Sequence, residues 1–263
     1  MKTKITDTSN TINKGGRAER WWQGRAVKVR SSKPVRSMDN VDLHKILQTY
    51  NLKGFEFGNW LTNNDRYDRV LACEDSLAEL SRIIGTKNIG MNCLVGIAFG
   101  ARGTKGALAH YEPGYNMINI TKEKGDGCLA HEFGHALDYN IGKYSDQHKY
   151  YNYLSGGRSL SVNLKDNTGG KVRNLMNEVV NIAAEMIKDY PASNYWKRRT
   201  EIFARLFEQY CCYILKVNGV RDAFLTSPWS SYVNSPVYWN ESNFKKLLPK
   251  MERLIKAMKS VMK

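Results

Sequence analysis

No stretch of this 263-residue chain is both long and apolar. Nothing approaches the roughly 18 consecutive apolar residues that cross a bilayer, which excludes an expected membrane span. The first residues, MKTKITDTSNTINKGG, carry lysines with no apolar segment behind them, so a secretory signal is not expected either. Cysteine is sparse: five residues, an odd number, with no C-x-x-C spacing. That excludes a disulfide framework and a cysteine zinc knuckle, and it suits reduced thiols in a cytoplasm. Acidic residues are scarce at the two ends. Residues 1 to 37 hold two acids against ten Lys and Arg, and residues 242 to 263 hold one against seven. The span between is nearly neutral, so most of the net charge of +15 sits at the termini. End-loaded basicity favours non-specific contact with nucleic acid or another polyanion; solvated tails are the plainer alternative.

What is present points to a globular domain. Hydrophobic residues make up 42% and aromatics 11%, enough for a sizeable core. Residues 1 to 37 read as a basic, flexible extension, except that RWWQGRAVKV (20 to 29) can dock as a strand through Trp21 and Trp22. A short helix over MDNVDLHKILQTYN has Asp39 or Asn40 as its expected N-cap. GFEFGNW (54 to 60) reads as a strand. Residues 64 to 85 place Tyr67, Val70, Leu71, Leu77, Leu80 and Ile83 at helical spacing and stop at Gly85. Strand-like runs follow at 94 to 100, 106 to 112 and 116 to 121. A helix runs from after Gly127 to about Asn140. A long loop is expected over 143 to 170, helices over 172 to 189 and 194 to 216, an aromatic loop over 226 to 240, and a basic amphipathic helix over 242 to 261. Helix, short strands, then helices is an α+β order: a small mixed sheet packed on several helices. The expected division is an extension (1 to 37), a central domain (38 to 241) and the C-terminal helix (242 to 263).

The chemistry concentrates in CLAHEFGHALDY, residues 128 to 139. Residues four apart share a helix face, so His131 and His135 can offer ring nitrogens to one ion. Glu132 lies about 100° round the helix from His131 and can reach a water held by that ion without ligating it. Zinc as a catalyst takes three protein ligands and leaves one position open, and it brings the pKa of its water to about 7. Two histidines satisfied in a core would give the same letters. Gly134 is out of place in a helix, where glycine costs about 1 kcal/mol, and its natural cause is close approach of another backbone or a substrate.

The third ligand has to come from elsewhere. Gly three residues and His six residues after the second histidine would mark a metzincin; here those positions are Asp138 and Ile141, so that class is excluded. Glu178, Glu185 and Glu201 are the candidates. Glu185 opens an E-x-x-x-D spacing like that of thermolysin-type enzymes. Glu201 is favoured because it sits on a strongly apolar helix, where a carboxylate needs a partner. Asp138 is placed to accept the second N–H of a ligand histidine. Tyr190 and Tyr195 precede Glu201, and Tyr195 is the chosen donor to an oxyanion. NMINIT, beside the HExxH helix, would offer a free strand edge to an extended peptide. His110 reads as a packed histidine, and Arg102 with Glu112 as a structural pair.

The motifs F-E-F-G-N-W, A-F-G-A-R-G, A-H-Y-E-P, I-N-I-T and A-H-E-F-G-H-A-L-D, over about 54 to 141, resemble the zincin-like large polyvalent protein-associated domain of phages and conjugative elements. T-E-I-F-A-R-L-F-E-Q-Y is similar to the helix that supplies the third ligand in that group and in related gluzincins. The resemblance implies a zincin-like fold, His131, His135 and Glu201 as zinc ligands, Glu132 as general base, and a phage or mobile-element origin in a bacterial cytoplasm. The expected function is a zinc-dependent metalloendopeptidase acting on a protein or peptide substrate. The alternative is a non-catalytic, nucleic-acid-associated module with a structural or vestigial zinc site.

Overall fold

The computed structural model describes residues 19–22, 41–103, 106–121, 124–145, 153–160, 170–187 and 193–262. Most of the basic stretch 1 to 37 therefore lies outside the described residues, as do Asp39, Asn40, His148 and Tyr190.

The elements follow one another as strand β1 (Glu19–Trp22), helix α1 (Leu43–Tyr50), β2 (Gly54–Phe57), α2 (Asn63–Ile84), β3 (Gly96–Phe99), β4 (Ala109–Glu112), β5 (Met117–Ile120), α3 (Leu129–Asn140), a π-helical turn (Ile141–Ser145), α4 (Gly170–Glu185), α5 (Arg199–Val217), α6 (Trp229–Val233) and α7 (Glu241–Val261). This is an α+β architecture. Local chemistry sets the boundaries. The Asp42 side chain caps α1 by accepting from the Lys45 N–H at 3.1 Å. Thr62 and Asp65 form a reciprocal capping box at the start of α2, which satisfies two N–H groups that would otherwise lack partners. Gly85 ends α2 at φ 81°, a conformation that costs a Cβ-bearing residue energy.

One five-stranded sheet runs β1-β2-β3-β5-β4. β1 pairs antiparallel with β2, so Glu19–Trp22 belongs to the sheet as the Trp-Trp segment suggests. β2, β3 and β5 are parallel neighbours, and β4 returns antiparallel on β5. The three inner strands are buried throughout; β3 is apolar along its length, while β2 and β5 each bury one polar residue, Glu56 and Asn119. Phe55, Phe57 and Phe99 stack across β2 and β3. Glu56, fully buried on the opposite face of β2, is matched by Arg102, whose guanidinium donates to it at 2.7 and 3.1 Å and to Glu112 at 3.0 Å. The expected Arg102 and Glu112 pair is therefore part of a triad.

The sequence reading of NMINIT as a strand with a free edge is corrected. The turn at Pro113–Asn116, with Asn116 at φ 56°, folds β4 and β5 into a hairpin. β5 is thereby enclosed between β3 and β4, and β4 is the outer strand.

A layer of helices covers the sheet. α3 touches β4 and β5 on one side and α5 on the other, while α4 packs on α7. The C-terminal helix is part of this core. It buries Phe244, Leu247, Met251, Leu254, Ile255 and Met258. At about 1.5–3 kcal/mol for each buried side chain, that is comparable to the ~5–15 kcal/mol by which whole domains are stable. The aromatic segment 226 to 240 is also more ordered than a loop. It contains α6, and its Trp239 is fully buried, with the indole N–H donating to the Ala183 carbonyl at 3.0 Å.

Candidate metal centre

α3 and α5 cross at Gly134. A Cβ built there would stand 3.0 Å from the Ala204 Cα, so the glycine is a contact point between two helix backbones. This close approach brings the first turn of α5 over the histidine face of α3. Three groups converge there. The His131 Nε2 lies 3.6 Å from Glu201 Oε2, and the His135 Nε2 lies 3.6 Å from Glu201 Oε1. One ligand atom from each of the three residues falls within 4.8 Å of the others.

The other faces of these side chains are held by a network. His131 Nδ1 lies 3.2 Å from Glu208 Oε2. Glu208 is buried and also accepts from the hydroxyls of Tyr232 at 2.9 Å and Tyr238 at 2.7 Å. A proton on His131 Nδ1 is therefore directed at Glu208, and Nε2 is the ring nitrogen that faces Glu201. His135 Nδ1 lies 3.1 Å from the Thr200 hydroxyl. Thr200 in turn donates to Asp138, which is wholly buried and also accepts from the Ser155 N–H at 2.7 Å and hydroxyl at 2.6 Å. With its hydrogen given to Asp138, the Thr200 oxygen is an acceptor for Nδ1–H, and His135 Nε2 is free to ligate. Asp138 thus acts on His135 through Thr200 rather than directly.

The arrangement fits a cation. Tetrahedral zinc bonded to imidazole nitrogen and carboxylate oxygen at about 2.0–2.1 Å separates neighbouring ligand atoms by about 3.3 Å, close to the two 3.6 Å spacings. Those spacings are long for hydrogen bonds. Glu201 Oε2 is buried with no hydrogen-bond partner, a costly state that a cation relieves. Two nitrogens and a carboxylate are a donor set suited to zinc.

The charges respond to this crowding. Burial opposes charge on His131, but the Glu201 and Glu208 carboxylates outweigh it and raise its pKa to about 10. His135 is lowered to about 4 by burial and by His131. Burial pushes Glu201 upward, yet the two histidines and Tyr195 hold it down at about 2. Glu132, on the same helix, is 7% exposed and raised to about 7, chiefly by burial. It accepts the main-chain N–H of Tyr111, which ties it to strand β4. Tyr195, 44% exposed, stands beside Glu201 with its hydroxyl pKa raised by burial and by the Glu201 and Glu132 charges.

The remaining candidates lie apart. Glu185 is exposed at the end of α4, and Glu178 pairs with Lys250. His110 is half-buried in β4, with its pKa lowered by burial, and it is not in the cluster. The sequence reading missed Thr200, Glu208, Tyr232, Tyr238 and Ser155. Glu208 carried a signal: it follows Glu201 by seven residues, two turns along one face of an apolar helix. The segment 153–160, inside the expected long loop, is buried around Leu154–Gly157. It anchors the start of α5, with the Arg199 and Thr200 N–H groups donating to the Ser159 and Gly157 carbonyls. Arg205, fully buried, donates to the carbonyls of Glu201, Trp196 and Val237. It thereby joins the turn bearing Tyr195 and the segment bearing Tyr238 to α5.

No curated protein and no solved structure matches the chain. A family model does match, over residues 188–262, and it is described as large polyvalent protein-associated domain 1. The matched stretch contains Tyr195, Thr200, Glu201 and Glu208 together with α5, α6 and α7; it does not include the two histidines of α3. Over residues 188–262, then, the chain is similar to large polyvalent protein-associated domain 1.

Proposed function

We propose that the chain is a zinc-dependent metallopeptidase, an endopeptidase of phage or mobile-element origin acting in a bacterial cytoplasm. The observation that carries this reading is the convergence of His131, His135 and Glu201 on one point with the buried Glu132 on the same helix. A bound zinc ion would supply Lewis-acid chemistry, acidifying a water and polarising a carbonyl.

The chain's own residues account for the rest of the reaction. Glu132, with a pKa near neutrality, takes the proton of the attacking water and delivers it to the departing amine nitrogen. The Tyr195 hydroxyl, exposed at the rim, donates to the oxygen that gains charge as the carbonyl is attacked. An extended peptide substrate lies along β4, the outer strand whose main chain meets Glu132. The basic N-terminal stretch adds non-specific nucleic-acid contact to this reading.

Glu132→Gln tests it. The variant keeps zinc and loses peptide cleavage by at least about 100-fold, the scale of a general base. If the variant cleaves as well as the parent, or if neither cleaves any peptide, the non-catalytic module is the better description.

A further inference from the structure

The start of α4 and the last turns of α7 enclose an open-sided cavity of about 670 Å³. Its floor is aliphatic: Val172, Leu175 and Val261 lie there with Ile141. Its rim carries three exposed cations, Lys171 from α4 and Arg253 and Lys256 from α7. Arg253 and Lys256 are three residues apart and share one helix face. No carboxylate among the described residues lines the cavity. The contrast with the rest of α7 is informative, because Lys245 and Lys250 there pair with Glu241 and Glu178.

We propose that this cavity is a docking site for an acidic, aliphatic segment of a partner protein. The chemistry selects such a segment. Apolar side chains on the partner cover the floor, and its carboxylates meet the three cations at the rim, as in helix-in-groove recognition. A volume of this size lies within the range of specific binding pockets. Nucleic acid matches less well. Phosphates would satisfy the cations, but the aliphatic floor would stay exposed, and no aromatic among the described residues lines the cavity to stack a base. The inference is independent of the metal centre, which shares none of the lining residues.

The test uses the full chain and a short fluorescent peptide with leucines on one helical face flanked by glutamates. Three competitors are compared: the same peptide with lysine for glutamate, one with serine for leucine, and a short single-stranded DNA. The Glu–Leu peptide binds, shifts the methyl resonances of Val172, Leu175 and Val261, and is displaced by neither altered peptide. Arg253→Glu combined with Lys256→Glu, both at exposed positions, weakens it at least about tenfold while the thermal unfolding transition is retained. Binding that survives the charge reversal, methyl resonances that do not move, or preference for DNA over the Glu–Leu peptide overturns the proposal.

Discussion

His131 meets Glu208 at 3.2 Å and His135 meets Thr200 at 3.1 Å, both through Nδ1. These contacts fix the ring orientations and leave both Nε2 atoms toward Glu201. The two supports differ in strength. Glu208 brings a full negative charge, whereas Thr200 passes on the influence of Asp138 through a hydroxyl. Removing the Glu208 charge while keeping its shape should therefore be felt at the ion. Glu208→Gln is expected to weaken zinc affinity by about 10–100-fold without unfolding the chain, measured by competition with a chelator. Unchanged affinity would show that the carboxylate serves only to satisfy Tyr232 and Tyr238. The same charges set a pH dependence. His131 is raised to about 10 by the surrounding carboxylates, so near neutrality a proton occupies it and must leave for zinc to bind. His135, at about 4, and Glu201, at about 2, have already lost theirs. Zinc affinity should rise with pH by about tenfold per unit from pH 6 to 8, with about one proton released per ion. Calorimetry in buffers of different ionisation enthalpy counts that proton; a flat profile would contradict the assigned charge of His131.

The pairing of α3 with α5 is the structural fact on which the centre depends, and Gly134 is its tightest point. Two effects oppose each other in Gly134→Ala. Alanine is a better helix former by about 1 kcal/mol, but overpacking a buried contact costs about 1–3 kcal/mol. The obstruction is the backbone of a fully buried residue, Ala204, which cannot rotate aside. The variant should therefore be less stable and hold zinc more weakly, because α5 is displaced together with Glu201. A denaturant titration and a zinc titration check the two consequences, and a more stable variant would refute the argument. At this scale much was legible in the sequence. α2, with apolar residues at helical spacing and Gly85 as its stop, lies where the pattern puts it, and so do the three short strands before α3. What periodicity could not show was lateral order. Strand spacing along the chain does not say that β4 folds back outside β5, so the exposed edge was assigned to the wrong strand. The same limit concealed α6, a five-residue helix too short to show a period.

Across the whole molecule, one hydrophobic core takes in residues from α1 through α7, and the centre sits where α3 and α5 meet within it. No helix among the described residues is long and apolar enough to cross a membrane. The HExxH pair was legible because its spacing is local and its geometry follows from one helix. Glu201 was legible for a different reason: a carboxylate on an apolar helix demands a partner. Thr200 and Ser155 left no such mark, since a threonine and a serine are ordinary residues until a fold brings them to Asp138. The central claim is that three residues from two helices far apart in the sequence form one metal site, and metal content tests it directly. Zinc per chain should be measured on wild type, Glu201→Ala and Glu185→Ala, each purified without added metal. Wild type and Glu185→Ala should carry about one zinc, as a site with a complete ligand set does, and Glu201→Ala should lose it. A wild type that binds none even when zinc is supplied, or a Glu201→Ala that retains it, would contradict the account.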